Sequence, residues 1–166
     1  MKESQLNTII NNSLKQHGFS HKISDGIGGI SVQNPFDGFA VIGKNNIYFE
    51  SKLIKPLKAF NFNIIEEHQI ENMSLIKKQN PENVCIYTVG FYEPRKYFYL
   101  LIFDHVLIEK LLNIGRKSIL KKELTILINR GIYYKIERIG NKYCICFNDI
   151  RDNIVTTTIW EEIFNA

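Results

Sequence analysis

The chain has 166 residues, enough for one domain with a hydrophobic core, and its 45% hydrophobic and 23% charged residues are typical of a globular rather than a disordered protein. Its net charge of +4 favours polyanionic partners only mildly. The chain has three cysteines, and an odd number argues against a disulfide framework. The sequence shows neither a signal-peptide pattern nor a run of about 18 apolar residues. We therefore expect a cytoplasmic protein that does not span a membrane.

Hydrophobic periodicity and turn residues predict alternating helices and strands. The predicted elements are a helix over 3–17, a glycine-rich loop or short irregular strand over 17–34, a β-hairpin over 35–52, a helix over 64–79, strands over 84–91 and 97–103, a helix over 105–112, a helix that ends near Gly131, a hairpin over 132–147, and a tail over 148–166 in which residues 154–164 fit either helix or strand. This order predicts one α/β domain over 1–166, with a central mixed sheet flanked by helices on both sides.

The predicted hairpin carries three charged residues on one face. If its strands pair across the turn GKNN, Phe39 faces Glu50 and Asp37 faces Lys52. Because side chains alternate along a strand, Asp37, Glu50 and Lys52 then share a face and lie close together. The opposite, core-facing set is Phe36, Ala40, Ile42, Ile47, Phe49 and Leu53.

Two carboxylates beside an ammonium group suit phosphodiester chemistry. Carboxylate oxygens are ligands that Mg²⁺ prefers, and Mg²⁺ binds phosphate oxygens. The metal polarises the phosphodiester and helps to form hydroxide. A lysine can orient the attacking water or offset charge in the transition state. The alternative is an exposed, salt-bridged hairpin with no chemical role.

Two helical residues can extend this group. Gln69 lies on the apolar stripe of its helix, four residues after Ile65, so it faces the sheet and either bonds to backbone or adds an amide oxygen to a metal site. Glu3, on the sheet-facing stripe of the first helix, is a candidate accessory carboxylate. His68 lies around the helix from Gln69, and we interpret it as a structural or DNA-facing residue.

Several segments resemble a known nuclease family. The pattern Asp, then Glu-x-Lys, then Gln on the next helix resembles the PD-(D/E)xK superfamily, through NPFD at 34–37, ESK at 50–52 and EEHQIENM at 66–73. With ESQLN at 3–7, FNFNIIEEHQIENM at 60–73 and GRKSILKKEL at 115–124, the chain resembles the RecU family of Holliday-junction resolvases over most of residues 3–125, except the loop at 17–34.

The resemblance implies a restriction-endonuclease-like fold and a Mg²⁺-dependent homodimer that nicks four-way DNA junctions in recombination and repair, where recombination proteins are further partners. It implies metal binding by Asp37, Glu50 and Gln69 and a transition-state role for Lys52. We expect Mn²⁺ to substitute for Mg²⁺. Candidate phosphate-binding residues form the densest basic cluster and the link after the hairpin: Lys55, Lys58, Arg116, Lys117, Lys121 and Lys122.

Two features depart from the family pattern. Family members carry a long basic stalk before the catalytic Asp, whereas the interval over 17–34 is short, glycine-rich and has the single lysine Lys22. Pro35 stands where the family commonly has a metal-site Thr. The alternatives are therefore a general branched- or flap-DNA nuclease of phage or plasmid type, a junction-binding protein that has lost cleavage, and an unrelated α/β protein with an accidental motif.

Overall fold

The structure, a computed structural model, describes residues 1–23 and 33–165. Its helices are α1 (Glu3–Leu14), α2 (Glu67–Gln79), α3 (His105–Asn113), α4 (Lys121–Asn129) and α5 (Thr157–Phe164), with 3-10 turns at Phe62–Ile64 and Ile150–Asn153. Its strands are β1 (Phe19–Lys22), β2 (Gly38–Ile42), β3 (Asn45–Ile54), β4 (Phe60–Asn61), β5 (Val84–Glu93), β6 (Tyr97–Asp104), β7 (Ser118–Ile119), β8 (Tyr134–Ile139), β9 (Lys142–Ile145) and β10 (Ile154–Val155).

Most strands form one mixed sheet in the order β1-β2-β3-β5-β6-β8-β9, with β10 beside β6. The pairs β3–β5 and β6–β10 are parallel, and the other pairs are antiparallel. Helix α2 supplies the crossover that a parallel β3–β5 pair needs. The predicted α/β fold with a central mixed sheet is confirmed.

Both faces of the sheet are covered by an apolar core. Helix α1 packs on one face, where Leu6 and Ile10 belong to the same cluster as Phe49. Helices α2 to α5 pack on the other face and contribute Met73, Leu107, Leu124 and Trp160. A strand between two such layers is buried on both sides, which explains the nearly continuous apolar run of β5.

The β2–β3 hairpin has a tighter turn than predicted. Ile42 pairs with Asn45, which leaves a two-residue turn, so the predicted register is wrong by two residues. A shift by an even number keeps strand residues on their predicted faces, and Glu50 and Lys52 therefore still share one. The pairing of Asp37 with Lys52 is not formed, because the Asp37 N–H donates to the Phe49 carbonyl at 3.1 Å.

One predicted core residue lies on the other face of the sheet. Phe36 was expected beside Ala40, but its ring packs against Tyr48 with the centroids 5.2 Å apart. Tyr48 and Phe36 border the core beneath α2, whereas Ala40 belongs to the core beneath α1. Phe36 precedes β2, so strand alternation does not extend to it.

The segments at 17–34 and 148–166 contain more regular structure than predicted. Phe19–Lys22 forms β1 and pairs with β2, while the middle of the predicted loop, residues 24–32, lies outside the described residues. The tail supplies both β10 and α5, and Trp160 is buried in the core. Within 1–23 and 33–165, no helix is long and apolar enough to cross a membrane.

Candidate active site

Strand β3 holds two opposite charges in a buried position. Glu50 is 1% exposed and Lys52 is 6% exposed. The Lys52 Nζ donates to the Glu50 Oε1 at 3.0 Å, so each charge has a partner, as buried charges require. The alternative predicted an exposed, salt-bridged hairpin: the salt bridge is present, but the predicted exposure is wrong at these two residues.

Asp37 is fixed to β3 by its backbone and its side chain. Its Oδ2 accepts the backbone N–H of Ser51 at 2.8 Å. The next residue, Gly38, allows this close approach, because a Cβ there would lie 2.4 Å from the Cζ of Phe49. The carboxylate of Asp37 is thereby held at the middle of β3, next to Glu50.

The pKa of Glu50 reflects the burial of its carboxyl and the nearby charge of Asp37. Burial raises the pKa of the Glu50 carboxyl most, the negative charge of Asp37 raises it as well, and Lys52 lowers it, so that the resulting pKa is about 7. Asp37 and Glu50 thus bring two carboxyl groups to this point of the sheet, beside the ammonium group of Lys52.

Gln69 reaches Glu50 from the first turn of α2. Its Nε2 donates to the Glu50 Oε1 at 2.5 Å, while its Oε1 accepts the backbone N–H of Glu66 at 2.9 Å. The prediction that Gln69 faces the sheet is confirmed by this contact. The amide oxygen, which the proposed role as a metal ligand needs, is turned toward the start of its own helix.

Glu3 lies at the edge of the same cluster. Its Oε1 is 3.9 Å from the Lys52 Nζ, and its Oε2 accepts the N–H of Leu53 at 3.2 Å. Burial raises the pKa of Glu3, an effect that the charge of Lys52 opposes. Helix α1 thus brings its first acidic residue to the end of the Glu50–Lys52 pair.

Two residues of α2 attach the segment before Asp37. The His68 Nε2 lies 3.2 Å from the Asn34 carbonyl oxygen, and the Asn72 Nδ2 donates to the Pro35 carbonyl at 3.4 Å. The contact of His68 fits its structural interpretation. The sequence analysis did not single out Asn72, although it lies one helical turn after His68 and so shares its face.

The described residues include no group of three His, Cys, Asp or Glu side chains that could hold a metal ion. A metal at this site would therefore have to use the two carboxylates of Asp37 and Glu50 with amide and water oxygens. Pro35 adds no hydroxyl.

The predicted basic residues separate into two groups. The ribbon β4–β7 brings the link after β3 beside the start of α4. This arrangement gathers five exposed lysines, which we call the basic surface: Lys55, Lys58, Lys117, Lys121 and Lys122. Arg116 is different, because it contacts both Glu123 carboxylate oxygens, at 3.0 and 2.6 Å, and lies over the ring of Trp160. Its guanidinium is partly buried and is held by these contacts within the fold.

Comparison with known proteins gives two similarities. The model of the RecU family, described as Recombination protein U, matches residues 30–140. The solved structure of Hjc, a Holliday junction resolvase from the archaeal hyperthermophile Archaeoglobus fulgidus, is 16% identical, with a TM-score of 0.41, over 64% of this chain and 75% of that chain. No curated protein is significantly similar to the chain.

Proposed function

The chain belongs to the RecU family, and on this premise we propose that it is a Mg²⁺-dependent endonuclease that hydrolyses phosphodiesters in branched DNA, four-way junctions above all. The observation that carries the proposal is the convergence of Asp37, Glu50, Lys52 and Gln69 within the matched residues 30–140. We also propose a homodimer, since paired nicks in opposite strands need two active sites related by symmetry.

The donor atoms of the cluster fit Mg²⁺ in kind. Asp37 and Glu50 would hold the ion through carboxylate oxygens, Gln69 would add its amide oxygen, and water would complete the shell, as is usual for Mg²⁺. The repulsion that Asp37 exerts on Glu50 supports a cation here. When bound, the ion polarises a phosphodiester and lowers the pKa of a bound water. We expect Mn²⁺ to be accepted too, because it also suits oxygen ligands.

We assign Lys52 a role in stabilising negative charge in the transition state rather than in binding the metal. Its ammonium group is held at 3.0 Å from the Glu50 carboxylate and is almost fully buried, so it needs little reorganisation during the reaction. A fixed positive charge of this kind stabilises the negative charge that develops on the phosphoryl oxygens, and it can orient the attacking water. Glu3 would contribute by holding Lys52 from the other side.

The basic surface would bind the DNA backbone. It begins three residues after Lys52, so it continues directly from the catalytic strand β3. Lysines that neutralise phosphates release counterions and bind without regard to base sequence. We do not assign Arg116 to this surface, because three of its N–H groups already donate to Glu123 and to the Ser118 carbonyl.

The experiment that tests the proposal uses a labelled mobile four-way junction with Mg²⁺ or with EDTA. We expect wild-type protein to make paired symmetric nicks only with Mg²⁺, and Asp37→Asn and Glu50→Gln to bind the junction without nicking it. Glu71→Gln is the matched control, because Glu71 is an exposed acid on the helix that carries Gln69. Full activity of either active-site variant would remove this mechanism.

A second candidate is a nuclease that cuts branched DNA generally. The short interval over 17–34 favours it: its single lysine, Lys22, is directed to α1, where its Nζ lies 3.4 Å from the Ser4 carbonyl and from the Thr8 hydroxyl. Equal cutting of junctions, flaps and forks in the same assay would select this candidate. A salt-sensitive shift of the junction with no nicking would instead indicate a binding protein.

A further inference from the structure

A buried hydrogen-bonded chain connects three elements next to the candidate active site. The Tyr87 hydroxyl on β5 lies 2.9 Å from the His105 Nδ1, at the start of α3. The His105 Nε2 lies 2.9 Å from the Ser74 Oγ on α2, and Ser74 in turn lies 3.0 Å from the Glu109 Oε1 on α3. Tyr87 and His105 are fully buried.

The carboxylate of Glu109, the last member, gives the hydrogen-bonded chain a single donor-to-acceptor direction. A carboxylate only accepts, so the Ser74 hydroxyl donates to Glu109 and must accept from the His105 Nε2–H. The His105 Nδ1 is then unprotonated and accepts the Tyr87 O–H. Burial lowers the pKa of His105 and raises that of Tyr87, so both are neutral at pH 7, although Glu109 and Lys77 also act on the imidazole in opposite senses.

Two members of this hydrogen-bonded chain lie beside active-site residues. Tyr87 is the strand partner of Glu50 in the β3–β5 pair. Ser74 lies on α2, five residues after Gln69, whose amide contacts Glu50. A sliding or rotation of α2 over the sheet would therefore have to break the contacts of both Ser74 and Gln69.

We propose that Tyr87, His105, Ser74 and Glu109 form a one-directional hydrogen-bonded chain that positions α2 on the sheet and so holds the Gln69 amide against Glu50. These residues are positioning residues, since none of them touches the reacting atoms. Their effect on turnover rests on the proposed nuclease function, whereas their effect on Gln69 does not.

The test compares wild type with Ser74→Ala and Ser74→Thr by NMR of metal-free, ¹⁵N-labelled protein. In wild type we expect one His105 tautomer, protonated at Nε2, and a Gln69 side-chain N–H shifted downfield by the Glu50 carboxylate. Ser74→Ala should mix the tautomers and move the Gln69 signal toward that of an exposed glutamine. Ser74→Thr, which keeps the hydroxyl, should restore both signals.

Turnover provides an independent readout. Ser74→Ala should lower kcat for junction nicking about 10-fold with KM unchanged, as is typical when a supporting hydrogen bond of an active site is lost. Thr125→Ala is the control, because the Thr125 hydroxyl bonds to the Lys121 carbonyl within its own helix, at 2.9 Å. It should change neither kcat nor the two NMR signals.

The outcomes separate this proposal from the nuclease function. An unchanged Gln69 signal in Ser74→Ala would overturn the positioning role, whatever the activity, and a His105 protonated at Nδ1 would overturn the direction of the chain. If wild type nicks no DNA but Ser74→Ala still releases Gln69, the positioning role stands and the nuclease function fails. Ser74 is only half-buried, so its alanine variant should fold; a thermal melt confirms that before the spectra are compared.

Discussion

The Gln69 amide nitrogen donates to the Glu50 carboxylate at 2.5 Å, although the amide oxygen of Gln69 is the atom that a metal would need. That oxygen accepts the N–H of Glu66 at the start of α2. The side chain thus links two functions: it satisfies the helix terminus and it balances a buried carboxylate. Metal binding in the proposed manner requires the amide to turn over, so that the oxygen faces the metal beside Glu50.

We therefore predict that Mg²⁺ releases the Gln69–Glu50 hydrogen bond. In an NMR titration, the Gln69 side-chain N–H should lose its downfield shift as Mg²⁺ is added, and Gln69→Ala should bind Mg²⁺ about 10- to 100-fold more weakly. Gln79→Ala is the control, because Gln79 is exposed at the other end of α2 and should leave the affinity unchanged. A Gln69 signal that stays downfield at saturating Mg²⁺ would show that the amide oxygen is not a ligand.

The second prediction concerns pH and the metal-free protein. Burial, and then Asp37, raise the pKa of Glu50 from its ordinary 4.5 to about 7, so between these values the folded protein holds a proton that the unfolded chain has lost. The free energy of unfolding should therefore fall as pH rises from about 4.5 to 7, by at most about 3 kcal/mol. Below pH 4.5, Glu50 is protonated in both the folded and the unfolded state, so it adds no pH dependence to the free energy of unfolding.

Urea denaturation at a series of pH values measures this dependence. Glu50→Gln keeps an acceptor for Lys52 and Gln69 but cannot ionise, so its stability should lack the decline of the wild type across the window. Mg²⁺ binding near pH 6 should also release close to one proton, because the ligand must be deprotonated, and calorimetry in two buffers detects that release. A wild-type profile parallel to that of Glu50→Gln would contradict the prediction.

Alternation along strands and stripes along helices identify a set of residues that the structure brings together. This set is Asp37, Glu50, Lys52, Gln69 and Glu3. Side chains alternate along a strand with a period of two residues. The predicted register of the β2–β3 hairpin is wrong by two residues, so Glu50 and Lys52 still lie on one face. The error arose from the turn, whose length the letters GKNN do not determine.

Contacts between distant segments could not be predicted in this way. His105 contacts Tyr87 and Ser74, 18 and 31 positions away, and the segment around Tyr87 looks only like an apolar strand. The Ser51 N–H that holds Asp37 belongs to the backbone, which carries no sequence signal. Arg116 resembled its basic neighbours, and only the structure reveals that Glu123 uses its guanidinium.

The third prediction is that Lys52 stabilises the metal-free fold. Lys52→Met would leave the buried Glu50 without its cation, which strongly destabilises a protein, by about 3–5 kcal/mol in typical cases. The loss should be largest above pH 7 and smaller near pH 5, because a protonated Glu50 no longer needs a counter-charge. Chemical denaturation at both pH values measures it.

Lys44→Met is the matched control for Lys52→Met. Lys44 is exposed in the β2–β3 turn, so its replacement should change stability by less than about 0.5 kcal/mol at either pH. Equal losses in the two variants would show that the Lys52–Glu50 contact adds nothing to stability.

The last prediction separates DNA binding from catalysis. Each Lys→Ala change in the basic surface, for example at Lys58 or Lys121, should reduce the slope of log affinity against log salt concentration by about 1, since one phosphate contact is lost. Nicking at saturating protein should be preserved, because these side chains lie outside the Glu50 cluster. Lys44→Ala, at the far end of β3, should leave the slope unchanged. Arg116→Ala should instead lower the thermal stability, because it breaks the ion pair with Glu123. If Arg116→Ala alone reduced the slope of log affinity against log salt concentration, the DNA would lie on a surface other than the basic surface.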